Sequence, residues 1–285
     1  MPDDLSTEEL ELENAIRSRF VAGFKPPFRG EIWENSAGIP MGRGYSNDGA
    51  PFDINSAHYL KEPLRAVKNP AYRKVIALAA VQMLKTFAMI DEASAFFIEH
   101  EPGDMNIYMP DAEAARDHMR GRLLPRLRAI PGVAVQLDAV AELDRFDITT
   151  QEFYLPGMVL RCWPLNEGNT QRMTLRYVLI SDAFLAGRKG LINQAIARTT
   201  QHPHDKKVII ESQGGEEGDD FDIEWKSTDM RRLHVRCPLC DGAQEFVFHA
   251  EREEKFRARL PRERVREILE KHGCAEKLDE VMREF

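Results

Sequence analysis

Apolar and polar positions along this chain follow two periods. Near the N-terminus, "LSTEELELENAIRSRFVAGF" sets Leu12, Ile16 and Phe20 every fourth residue, behind Ser6 and Glu9 at a capping-box spacing. That pattern predicts a helix. The Gly/Pro-rich stretch from Lys25 to Phe52 predicts an irregular arm. Helical spacing returns in "HYLKEPLRAV". Beyond it, "KVIALAAV", "NIYMP", "VAVQLDAV", "FYLPGMVLRCW", "RYVLIS" and "KKVIIES" are short apolar runs that read as strands. Helical patterns lie between several of them: "KTFAMIDEASAFFIEH", "DAEAARDHMRGRLLPRLRAI" and "GLINQAIARTTQ". Strands alternating with helices predict an α/β fold with a mostly parallel sheet flanked by helices. "YLPGMVL" interrupts the alternation with a hairpin turning at Pro156-Gly157. After Ser212, "QGGEEGDDFD" has too little apolar content to pack and reads as a mobile acidic loop. From Glu251 the text becomes highly charged, with Val265, Ile268 and Leu269 keeping a helical stripe, and predicts a helical tail.

Composition narrows the class. A chain of 285 residues with 43% apolar content can hold one large core with appendages, or two small domains. No apolar run approaches the length of a membrane span, and the acidic start lacks the order of a signal peptide. Four cysteines in this length do not make a disulfide framework, and fit a reducing, cytoplasmic setting. The net charge of −8 argues against a protein that coats nucleic acid over its whole surface, but leaves room for a local basic strip. Arg116, Arg120, Arg122, Arg126 and Arg128 form one, read as the solvated face of a helix.

Candidate chemistry gathers at strand ends. In "AAVQMLKTF", Lys85-Thr86 follows an apolar strand and opens a helix. A phosphate-binding loop works through backbone N–H groups at a helix N-terminus, a lysine on the phosphates and a hydroxyl on magnesium. The glycines of such a loop are missing, with Leu84 where the last should stand. "RYVLISDAF" ends in Ser181-Asp182, one carboxylate where nucleotide hydrolases carry an acidic pair. "KKVIIESQGG" ends in Glu211-Ser212, which could sense a γ-phosphate or begin a loop. Cys237 and Cys240 have the spacing of half a structural zinc site; His234, His249, or His272 with Cys274 could complete it, and spacing does not choose. Cys162 reads as a core residue.

In order, "HYLKEPLRAVKNPAYRKVIALAAVQMLKT", "RYVLISDAF", "KKVIIESQGG" and "DMRRLHVRCPLC" resemble the large subunit of lambda-type phage terminases, from about Gly44 to Cys240. The resemblance implies a RecA/ASCE-like P-loop ATPase motor that moves double-stranded DNA into a procapsid. Its implied partners are a terminase small subunit, the procapsid portal and further copies of the chain, with no membrane. ATP and magnesium are the implied cofactors, with zinc a candidate at the cysteines. Under it, Lys85 contacts phosphate, Thr86 meets magnesium, and Gln82 lies in the same loop. Ser181 stands at the family's magnesium-binding aspartate and Asp182 at its catalytic glutamate. With Ser181 there, Asp182 is expected to hold magnesium itself, leaving Glu211 or no residue to orient water. Ser212 matches the coupling hydroxyl, and Arg172 is a candidate γ-phosphate arginine. The expected organisation is a helix and arm over 1–45, an ATPase-like core over 46–235, and a CxxC knuckle with a helical tail over 236–285. The family's nuclease module is not visible. A hydrolysis-deficient relative that binds DNA or a partner, and a zinc-knuckle assembly protein, are the alternative expectations.

Overall fold

A computed structural model describes residues 28–42, 45, 50–142, 146–147, 151–171, 173–186, 189–236, 242–245, 262–271 and 273–279. It divides into two compact units, Met1–Trp225 and Lys226–Phe285. The expected N-terminal helix lies outside the described residues.

The first unit is built on one sheet of β1 (Lys74–Leu78), β2 (Met105–Met109), β3 (Phe146–Asp147), β4 (Glu152–Leu155), β5 (Met158–Pro164), β6 (Tyr177–Ile180) and β7 (Lys207–Ser212). Their order across the sheet is β1-β7-β6-β2-β5-β4-β3. From β1 to β5 every neighbouring pair is parallel, while β4 and β3 join antiparallel at one edge. The hairpin between β4 and β5 turns at Pro156-Gly157, where glycine takes the φ of +78° the turn demands.

Strands β2, β6 and β7 are buried along their whole length, as parallel strands covered on both faces must be. Side chains alternate between the two faces. Ile107, Leu179 and Ile209 join one apolar cluster, while Tyr108, Val178, Ile180, Val208 and Ile210 join the other. The first face carries α1 (Lys61–Lys68) and α2, a π-helical turn Phe87–Glu92 running into Ala93–His100. It also carries α3, which runs from Ala112–His118 through a π-helical turn Met119–Leu123 into Leu124–Ala129. The second face carries α5 (Leu191–Ala197) and α6 (Asp220–Lys226), through Leu191, Ile192, Ala195 and Phe221. The arm is part of the first core: Ile32, Met41 and Tyr45 are buried in it.

"VAVQLDAV" is not a strand. It lies within helix α4 (Pro131–Glu142), packed against α2 and β4. Pro131 opens the helix, where its missing N–H costs nothing, and Val133 and Leu137 bury one face at a four-residue spacing. A short apolar run hides this period. The acidic segment is irregular over residues 213–219, but its end is already α6, with Phe221 in the core.

In the second unit, β8 (His234–Arg236) pairs antiparallel with β9 (Ala243–Glu245), and α7 (Arg262–Lys271) supplies the expected tail helix. Leu269, Cys274 and Leu278 are buried there.

Candidate functional site at the ends of β1, β6 and β7

The turn from β1 into α2 bends without glycine. Gln82 and Leu84 take φ of +61° and +51°, a left-handed conformation that costs an L-residue about 1–2 kcal/mol. Such strain persists where surrounding structure enforces it, and clusters at functional sites. Here the Leu84 side chain packs against the first core, the Leu84 carbonyl accepts from the Ala88 N–H at 2.9 Å, and the Met83 carbonyl accepts from the Tyr59 hydroxyl at 3.3 Å. Gln82 is exposed, while Lys85 is buried at the mouth of the helix.

Strand β7 lies between β1 and β6, so its C-terminal end sits between the other two. Lys85 Nζ donates to Asp182 Oδ1 at 2.8 Å and to Glu211 Oε2 at 2.6 Å. The other Glu211 oxygen, Oε1, accepts from Thr86 Oγ1 at 2.7 Å and from Ser181 Oγ at 2.5 Å. Glu211 is wholly buried, so its carboxylate depends on these donors. Burial pulls the Lys85 ammonium down, but the Glu211 and Asp182 carboxylates outweigh it and hold the pKa above the usual lysine value.

Asp182 follows β6 in a left-handed conformation with φ of +47°, and its side chain is 37% exposed, open to a reactant from solvent. Ser212 joins all three strand ends. Its carbonyl accepts from the Ala79 N–H at 3.0 Å and its hydroxyl from the Phe184 N–H at 2.9 Å. The end of β7 is thus hydrogen-bonded both to the β1 turn and to the turn after Asp182. A buried cation, two carboxylates and two hydroxyls form a compact polar group at the carboxyl ends of parallel strands, the usual place for a ligand in an open α/β sheet.

The family model for the phage terminase large subunit gpA, ATPase domain, matches residues 46–274. The chain belongs to that family. The crystal structure of the HK97 bacteriophage large terminase is similar in fold, with a TM-score of 0.52 and 13% sequence identity. The likeness covers 70% of this chain and 42% of that one, so the chain spans less than half the length of this terminase. No curated protein matches the chain.

Of the residues the terminase resemblance singles out, Lys85, Thr86, Ser181, Asp182, Glu211 and Ser212 stand together at these strand ends. Arg172, Cys237, Cys240, His249 and His272 lie outside the described residues. His234 is in β8 and Cys274 is buried in the second unit. Among the described residues no group of three or more His, Cys, Asp or Glu side chains could hold a metal, so nothing there supports zinc. No helix among them is long and apolar enough to cross a membrane.

One feature escapes the sequence pattern. The π-helical turn of α2 sends both of its acids inward. Asp91 accepts from the Tyr45 hydroxyl and pairs with His118 Nε2 at 2.9 Å. Glu92 accepts from the Ser36 hydroxyl and pairs with Arg126 through Nε at 2.8 Å and Nη2 at 2.7 Å. Arg126 thus leaves the exposed face that Arg116, Arg120, Arg122 and Arg128 share. A π-helical turn in a helix is itself a signal of function, but the sequence does not announce it.

Proposed function

We propose that this chain is the ATPase motor module of a phage terminase large subunit, moving double-stranded DNA into a procapsid in the host cytoplasm. The β1–α2 turn serves as a divergent P-loop. Its partners on this reading are the small subunit, the portal, and further copies of the chain. The observation that carries the proposal is the contact of Lys85 with both Asp182 and Glu211, beside Thr86. These are the groups a nucleotide triphosphate needs at one place.

The residues present fit a magnesium ion. Such an ion keeps several waters and is held by one or two carboxylates with substrate phosphates, which Asp182, Glu211, Thr86 and Ser181 can complete. When bound, it neutralises charge on the phosphates. Lys85 exchanges its carboxylate partners for phosphate oxygens through charge-assisted hydrogen bonds. Asp182, the exposed carboxylate, orients the attacking water. Its side chain is one methylene shorter than the glutamate expected there. A misplacement of about an ångström costs on the order of a hundredfold in rate, so basal hydrolysis is slow.

Steady-state phosphate release, with and without duplex DNA, tests the reading. Wild type is expected to turn over slowly and faster with DNA, Asp182→Glu faster still, and Asp182→Asn not at all. Lys85→Ala is expected to lose ATP binding by calorimetry. Equal rates in wild type and Asp182→Asn would favour the hydrolysis-deficient relative, a reading supported by Ser181 at the aspartate position. Equal ATP affinity in wild type and Lys85→Ala would remove Lys85 from the site.

A further inference from the structure

Strand β6 ends with one carboxylate, yet the site contains two, and the second comes from a different strand. We infer that Glu211, at the end of β7, is the magnesium-facing carboxylate of this site, taking the place that Ser181 leaves empty. This rests on the ATPase reading above and gives Glu211, of the two carboxylates, the metal, leaving Asp182 the water.

Geometry carries the inference. Side chains two apart on a strand share a face, so Glu211 lies on the face of Ile209 and Ser181 on the face of Leu179. Leu179 and Ile209 are paired in register and both belong to the core under α2. Glu211 and Ser181 therefore stand side by side below the start of α2, where Thr86 is. One oxygen, Oε1, accepts from both Thr86 and Ser181. The hydroxyl that would meet the metal and the residue standing at the aspartate position thus converge on a single carboxylate atom. The other oxygen holds Lys85. A wholly buried glutamate among such donors is poised for a cation once Lys85 moves to phosphate. Asp182 touches Lys85 and is open to solvent, which suits it to water.

Substitution can move the carboxylate back. Manganese, a spectroscopic stand-in for magnesium, is titrated into protein saturated with a non-hydrolysable ATP analogue and followed by electron paramagnetic resonance. The proteins are wild type, Glu211→Gln, Ser181→Asp, and the double variant. Glu211→Gln is expected to weaken manganese about 10–100-fold, the range for losing a group that supports a metal site. Ser181→Asp alone is expected to gain nothing, because two carboxylates would crowd one position. In the double variant the carboxylate sits on β6, and manganese affinity is expected to return to within a few-fold of wild type.

Unchanged manganese affinity in Glu211→Gln overturns the inference, as does a folded double variant that binds no better than Glu211→Gln. Should Glu211→Gln fail to fold, the double variant alone decides, since it restores the charge opposite Lys85. A wild-type protein that binds neither the analogue nor manganese overturns the ATPase reading itself, and this inference with it.

Discussion

Replacing Arg126 with methionine tests how the helix after the site is tied to the arm. Arg126 is buried, with Nε and Nη2 on Glu92 Oε1 and Nη1 on the carbonyls of Ile39 and Pro40 at 3.0 and 2.6 Å. Its guanidinium also lies 5.2 Å from the Phe87 ring. Arg126→Met leaves the buried Glu92 carboxylate with the Ser36 hydroxyl, a loss of about 4 kcal/mol by analogy with other broken buried pairs. Glu92→Leu strands the guanidinium but leaves its carbonyl partners, so the cost is about 3 kcal/mol. The double variant removes both charges and exposes only the unpaired carbonyls, at about 2 kcal/mol. The single costs thus exceed the double by about 5 kcal/mol, whereas independent sites add within about 0.5 kcal/mol.

Urea denaturation gives these differences. Tryptophan fluorescence follows the arm, since Trp33 packs on the first core. By calorimetry, Arg126→Met is expected to lower Tm by roughly 8–16 °C, at about 2–4 °C per kcal/mol for a large domain. The pH dependence has an unusual sign. Burial holds the Glu92 carboxyl above the usual carboxylate range, although Arg126 and Ser36 pull it down. Its contribution is therefore fully present below the unfolded pKa and lost as pH rises through the folded one. Glu92→Leu should abolish that part of the pH profile. Single variants whose costs simply add to that of the double would refute the pairing argument.

Leu84→Gly relieves left-handed strain of about 1–2 kcal/mol at the turn, at the expense of the Leu84 packing. Calorimetry with ATP and magnesium should show affinity several-fold higher than wild type; an unchanged affinity would mean that the turn's conformation does not limit binding. Lys207 is 5% exposed, and burial pushes its pKa down to about 8 despite hydrogen bonds to the Asn69 and Tyr72 carbonyls. Between about pH 8 and 10 the unfolded chain binds the extra proton, so rising pH favours folding. Wild type should gain on the order of 2 kcal/mol relative to Lys207→Met across that window in urea melts, and a flat difference would refute the shift.

Much of the sheet was legible because its strands are short, apolar and end in polar residues. "YVLI" and "KVIIES" are strands, and Ser181, Asp182, Glu211 and Ser212 stand at or just past their ends. "VAVQLDAV" has the same texture, but its buried positions are four apart, and so few residues do not separate the two periods. The polar network was illegible for a different reason. Asp91 and Glu92 lie within the helical run "KTFAMIDEASAFFIEH", but the partners Ser36, Tyr45 and Arg126 lie 56, 46 and 34 residues away. Only the fold brings those sequence distances to contact. In the same way, a motif read strand by strand finds one carboxylate on β6 and counts the other as missing.

The sheet's topology lets carboxylates at the ends of β6 and β7 reach the same place. Neighbouring strands lie about 4.8 Å apart, and glutamate reaches one methylene further than aspartate. The pair Leu179 and Ile209 sits two residues before Ser181 and Glu211, so a group at either position faces the start of α2. With β7 between β1 and β6, a side chain from its end already points between the turn and the β6 end. With serine at position 181, Thr86 and Lys85 still have a carboxylate within 2.7 Å, held by a strand that also carries Ser212. On the proposed assignment, the metal-facing Glu211 and the coupling hydroxyl of Ser212 would belong to one strand. Motion of the end of β7 would change both at once, where a carboxylate on β6 would let them move independently.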